Sequence, residues 1–147
     1  MERCELMGSY QVLEFTLGEE QYCINIEYVT EVVSRSKKDV TSIPDSPPHV
    51  EGAIDLRGET TRVIDPSARL LQDGHKDNGI SQDRMIVFDT EMTTGGRSGW
   101  AVTDVRRILT IDPDSVEAVG EEMINGLVAR EDRHIVWIDP ETISAET

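Results

Sequence analysis

At 147 residues, with 37% apolar side chains and 11 glycines, the sequence can build one globular core, and no window is long and apolar enough to span a bilayer. Its 29 aspartates and glutamates outnumber 14 lysines and arginines, and a net charge of −15 excludes a phosphate backbone as ligand.

The start, Met1-Glu2-Arg3-Cys4-Glu5, is charged and leads into no apolar run, so it does not read as a secretory signal. Cys4 and Cys23 are the only cysteines, one in a tail and one in a strand pattern, which points to a reducing compartment. Leu13, Phe15 and Leu17 alternate with polar residues, as in a half-buried strand. Gly18-Glu19-Glu20 turns the chain into a second strand carrying Tyr22, Ile24 and Ile26. The spacing of Ile26 and Val29 predicts one helical turn, followed by a strand over Thr30–Arg35. Ile43-Pro44 and Pro47-Pro48 mark an irregular link. Ala53–Arg57 and Thr60–Ile64 read as a hairpin around Gly58-Glu59. Asp65-Pro66 then fits the cap and first position of a short helix.

The polar run Gln72–Gln82 is the best boundary in the chain. Beyond it lie an apolar strand at Met85–Phe88, a turn at Thr93–Gly96 and a strand from Trp100, which Val105–Ile111 is expected to continue. Asp112–Ser115 reads as a turn. Ile124–Ala129 and Ile135–Ile138 pair across Arg130–Arg133, and Asp139-Pro140 repeats the cap signal before a terminal helix. The phrases "RVIDPSARL" and "VWIDPETIS" echo each other and suggest a two-lobed duplication. Short strands with turn signals every eight to twelve residues or so are the signature of small barrels or sandwiches.

The chemistry of sites narrows the function. His49, His75 and His134 lie far apart without paired ligand spacing, and Asp112-Pro113-Asp114 lacks the frame of a calcium loop, so no metal is expected. Nucleophile and phosphate-loop motifs are absent, and Gly95-Gly96-Arg97-Ser98-Gly99 reads as a hairpin turn. A small hydrolase using paired carboxylates in an acidic cleft is the enzyme alternative. Binding is the stronger reading. Val29, Val32 and Val33 cannot all face one core in a strand, and an exposed valine tends to mark an interface. Arg57 is the second binding candidate, because a guanidinium fork suits carboxylates. Its alternative is a salt bridge that decorates a turn.

Taken in order, these motifs resemble the CheW family of chemotaxis adaptors. The residues that carry the resemblance are "EFTLGEEQYCINI" at 14–26, "VTEV" at 29–32, "GAIDLRG" at 52–58, "RVID" at 62–65, "GWAVTDVRRIL" at 99–109 and "NGLVAREDRHIVWID" at 125–139. The ordered set covers about 12–143. Thr60, Thr61 and Arg62 depart from it, since this strand usually carries apolar residues and a proline, and Pro66 stands where an apolar residue is usual. The same motifs occur in the regulatory domain of the chemotaxis histidine kinase, but the sequence has no kinase, dimerisation or phosphotransfer segment. A CheW-like paralogue serving another pathway is the alternative within the family.

The resemblance implies an all-β fold of two five-stranded SH3-like barrels sharing an apolar core. It implies one domain over 10–143, with lobes of about 12–72 and 83–140 between which terminal segments can cross, and tails at 1–9 and 144–147. It implies a non-catalytic, cytoplasmic adaptor that needs no cofactor and does not itself insert into the membrane. Its expected partners are the regulatory domain of the CheA histidine kinase and the cytoplasmic tip of methyl-accepting receptors. By position, the receptor-side residues are Val29, Glu31, Gly52, Arg57, Gly58 and Val105, with Gly52 leaving room for a helix and Glu31 holding Arg57 across neighbouring strands. No kinase-side residue is assigned. Abundant carboxylates with few lysines (Lys37, Lys38, Lys76) resemble proteins of salt-loving archaea, where screening offsets the repulsion.

Overall fold

The computed structural model describes residues 10–36, 39–45, 49–70, 82–88, 97–120, 124–130 and 133–139. The expected turn at Thr93–Gly96, the terminal helix, both tails and all of the polar run except Gln82 lie outside the described residues. The rest is almost entirely β. In chain order come β1 (Tyr10–Leu17), β2 (Glu20–Asn25), a 3-10 turn (Ile26–Tyr28), β3 (Val29–Ser34), β4 (Val50–Leu56), β5 (Glu59–Ile64) and α1 (Ser67–Leu70). Then follow β6 (Arg84–Phe88), β7 (Ser98–Val102), β8 (Asp104–Ile111), β9 (Val116–Glu117), β10 (Ile124–Arg130) and β11 (Arg133–Ile138).

Two sheets form two SH3-like lobes. One runs β8-β1-β2-β11-β10-β9 and the other β3-β6-β7-β5-β4. The first has six strands rather than five, because the turn after Ile111 delivers the two residues of β9 to the edge of β10. The sheets do not divide the chain at the polar run. β1 and β2 pair with second-half strands, while β6 and β7 pair with first-half strands, so the two lobes interleave. Val105–Ile111 does not continue β7. The chain bends at Thr103, whose N–H bonds the Thr16 carbonyl at 2.9 Å, and β8 joins the other sheet beside β1. Ser98 and Gly99 are strand residues of β7 rather than a turn.

The core explains this weave. Leu13, Phe15, Leu17, Tyr22, Ile24 and Ile138 of the six-stranded sheet join Ile64, Ile86, Phe88, Trp100 and Val102 of the five-stranded one in a single buried cluster. Trp100 is fully buried, with its ring centroid 5.9 Å from Phe15 and 5.1 Å from Phe88, both edge-on. Trp137 does not pack between the lobes. It belongs to a cluster confined to the six-stranded sheet, and its indole N–H bonds Asn25 Oδ1 at 2.8 Å. Asp65 caps α1 as its sequence suggests, accepting from the Ser67 N–H at 3.1 Å and the Ser67 hydroxyl at 2.6 Å.

The duplication is visible in the pairing. An extra residue bulges β4 before Gly52 and β10 before Gly126, so that Gly52 faces Val63 and Gly126 faces Trp137. Each hairpin ends in Ile-Asp, and each second strand runs parallel to a neighbour, β5 to β7 and β11 to β2. Another bulge sets Arg106 and Arg107 of β8 opposite the single residue Glu14. Both guanidiniums reach this buried carboxylate, at 3.7 and 3.3 Å.

Candidate functional site

The site grows out of the tip of the β4–β5 hairpin. Leu56 pairs with Glu59, so the connecting residues are Arg57 and Gly58, one position earlier than the sequence suggests. Both have positive φ, 54° and 84°, the pattern of a two-residue turn whose twist matches the flanking strands. Gly58 suits this geometry and donates its N–H to Asp55 Oδ1 at 2.9 Å. Arginine does not suit it. An L-residue with a Cβ adopts the left-handed region at a cost of about 1–2 kcal/mol, and asparagine or glycine would be the economical choice. A strained backbone kept at one point directs attention to what the side chain does.

That side chain lies 69% exposed and makes a fork onto Glu31 of β3, with Nη1 donating to Oε2 at 2.7 Å and Nη2 to Oε1 at 2.6 Å. The expected Arg57–Glu31 pair is therefore present, but it does not join neighbouring strands. β3 and β4 are the two edges of the five-stranded sheet, which must curl for the tip to reach Glu31. The ion pair spans the gap between these two edges. Further along the same gap, buried Arg35 donates to Glu51 of β4 at 2.9 Å. A third arginine completes the cluster. Arg97, just before β7, donates Nη2 to Glu31 Oε2 at 2.9 Å and Nη1 to Glu59 Oε1. Charges alternate along Arg57, Glu31, Arg97 and Glu59.

The hydrogen bonds of Arg57 hold the Glu31 carboxyl below its usual range, and the charges of Arg57 and Arg97 add to this, while partial burial pulls the other way. The same pairing raises Arg57. The sign of the linkage follows. In the unfolded chain Glu31 titrates near its ordinary 4.5, so its contribution is complete above that value and is lost as pH falls through it to the lower folded one. Thermal melts should show a Tm gap between the parent and Glu31→Gln that is constant above about pH 5.5 and closes on further acidification. A gap independent of pH would contradict this.

The other sequence-derived residues divide. A bulge at Thr30 pairs Val29 with Phe88 but Glu31 with Val87, placing the two side chains on opposite faces of β3. Val29 and Val32 pack against the core shared by both sheets, whereas Val33 packs against the separate cluster of the five-stranded sheet. The three valines thus do not face one core. Val105 is half-buried on β8 against the same shared core as Val29.

Gly52 departs from expectation. It is buried, with φ of 154°, and the room beside it is taken by the chain itself: an added Cβ would stand 2.2 Å from the Thr41 carbonyl oxygen. Thr41 and Ala53 exchange backbone hydrogen bonds at 2.8 and 2.9 Å, so the glycine admits the linking segment rather than an incoming helix. Gly52→Ala should destabilise the fold by about 1–3 kcal/mol through backbone displacement, checked by denaturant unfolding. An unchanged midpoint would show that the link moves aside freely.

Arg97 and Glu59 are not among the residues singled out in the sequence. Their signal was faint: an arginine entering the small-residue strand Ser98-Gly99, and a glutamate at the turn Gly58-Glu59. Two clefts lie elsewhere. One of about 420 Å³ is lined by Tyr10, Tyr28, Val116 and Trp137 among others, with no ionisable acid or base besides tyrosine. The second, about 270 Å³, holds Glu19, Glu20 and His134, whose side chains are exposed. Neither presents a nucleophile beside a base.

Comparison with known proteins agrees with the fold. A model of the CheW-like domain matches residues 11–147. A probable chemotaxis protein CheW of Rhizobium etli is 29% identical over 148 residues, covering 95% of this chain and 90% of that protein. The chemotaxis protein CheW of Treponema pallidum is 27% identical, covering 88% and 79%. Among solved structures, the scaffolding protein TtCheW from Thermoanaerobacter tengcongensis superposes with a TM-score of 0.68 at 29% identity, covering 88% of each chain. With the family model spanning nearly the whole sequence, two interleaved β lobes and an arginine at the hairpin tip, the chain belongs to the CheW-like domain family.

Proposed function

We propose that this chain is a non-catalytic chemotaxis adaptor that couples methyl-accepting receptors to the CheA histidine kinase. The observation that carries the reading is Arg57, an exposed guanidinium held in a strained turn by a two-pronged bond to Glu31. A guanidinium fork makes two parallel bonds to one carboxylate, so an exposed one at a hairpin tip suits a carboxylate on a partner helix. Val29 and Val105 add apolar contact from the rim of the shared core, and Gly58 keeps the tip small. The kinase regulatory domain would bind elsewhere on the chain.

No helix among the described residues is long and apolar enough to cross a membrane, so the adaptor would reach a receptor array through its partners. Capture of the chain from lysate at native salt should recover a histidine kinase together with receptors. Recovery of neither would contradict the proposal.

The charge supports a high-salt setting as part of the same reading. At −15 the fold should loosen in dilute buffer and recover in molar salt, because screening over a few ångströms removes self-repulsion. Circular dichroism across a salt titration tests this, and an equal thermal midpoint at low and molar salt would remove the halophilic reading.

A further inference from the structure

We propose that Arg97 is a positioning residue that keeps Glu31 paired when Arg57 leaves it to grip a carboxylate on the partner. The proposal rests on the reading of Arg57 as a receptor-side residue and names how that site operates.

The cluster has one shared carboxylate and two claimants. Glu31 Oε1 takes one bond from Arg57, and Oε2 takes one from Arg57 and one from Arg97. Arg57 has one fork, so it cannot hold Glu31 and a partner carboxylate with both prongs at once. Its departure would strip a carboxylate that is only 20% exposed of two charge-assisted bonds. A half-buried acid without a counter-charge is costly, and that cost would oppose binding.

Arg97 is built to meet it. Its side chain is 15% exposed, its carbonyl accepts the Arg62 N–H at 2.9 Å, and its second nitrogen is held by Glu59. It is tied at backbone and side chain, whereas Arg57 sits on a turn with most of its side chain in solvent. The mobile cation is therefore Arg57 and the fixed one is Arg97. The partner chemistry is a carboxylate on an approaching surface, since only an anion competes with Glu31 for the fork.

Four variants separate this from a structural role, each titrated in molar salt with a receptor cytoplasmic fragment and, separately, with the kinase regulatory domain. Arg97→Gln should weaken receptor binding about fivefold or more, because Glu31 then holds Arg57 alone. Adding Glu31→Gln to it should restore affinity to within about twofold of Glu31→Gln alone, since no charge remains to retain Arg57. Glu59→Gln removes the charge that anchors the second nitrogen of Arg97 and should weaken receptor binding, by less than Arg97→Gln does. Kinase binding should stay constant in all four.

Unchanged receptor binding in Arg97→Gln, no recovery in the double variant, or a larger loss in Glu59→Gln than in Arg97→Gln would overturn the proposal. If Arg57→Ala itself leaves receptor binding unchanged, the receptor-side reading falls and this proposal with it. A loss with Arg57→Ala but none with Arg97→Gln rejects the positioning role alone.

Discussion

Replacing Trp100 by alanine should cost about 3–5 kcal/mol and abolish cooperative unfolding of the two lobes as one unit. The ring is fully buried and sits on β7, between Phe15 of one sheet and Phe88 of the other. The buried cluster it belongs to draws on strands of both sheets, so collapse of the site would require both sheets to move. A large cavity between layers is the situation in which truncation is most damaging, because the walls are held apart by their own hydrogen bonds. Trp137→Ala is the natural comparison. That ring packs within one sheet's cluster, against Tyr10 at 5.3 Å, and its N–H bonds an asparagine near the surface. Its loss should therefore be smaller than that of Trp100. Denaturant unfolding in molar salt measures both. A Trp100→Ala cost below about 1 kcal/mol, or a larger one for Trp137→Ala, would contradict the shared core.

Arg57→Ala should weaken receptor binding by about thirtyfold or more while leaving the fold and kinase binding in place. Stability should change little, because the side chain is mostly in solvent, and alanine accepts the left-handed turn no worse than arginine does. Arg57→Lys should recover only part of the affinity, as an ammonium cannot make two parallel bonds to one carboxylate. Arg57→Gly relieves the backbone strain and should fold at least as well as Arg57→Ala, yet bind as weakly. That contrast separates a conformational role for position 57 from a chemical one. Equal weakening towards both partners would instead mark Arg57 as a structural residue that holds the two sheet edges together.

Much of this fold was legible in the sequence. Strands showed through alternation, as in Leu13-Glu14-Phe15, and through turn chemistry, as in Asp65-Pro66. In β8 and β3 a bulge broke the alternation. Arg106 and Arg107 both meet Glu14, and Val29 and Glu31 part to opposite faces, because one extra residue shifts everything after it. Nothing in the order of residues fixes where a bulge falls. Sheet membership was equally hidden. Trp100 to Ile111 reads as one strand, and only the bend at Thr103 divides it between two sheets.

In the site, Arg57 and Glu31 could be carried over from motifs, and the structure joins them. Gly52 was read as leaving room for a helix, whereas the backbone it admits is the chain's own link. Arg97 escaped because its partners, Glu31 and Glu59, lie 66 and 38 positions away in sequence. Long-range ion pairs of this kind are set by the curl of the sheet and leave no local pattern.

The adaptor role itself is tested most directly by reconstitution. Receptor-bearing vesicles, the kinase regulatory domain and this chain are combined in molar salt and sedimented. The kinase domain should pellet with the vesicles only when the chain is present, and Arg57→Ala should leave both the chain and the kinase domain in the supernatant. Equal sedimentation of the kinase domain with and without the chain, or mutual displacement of the two partners from it, would contradict the account.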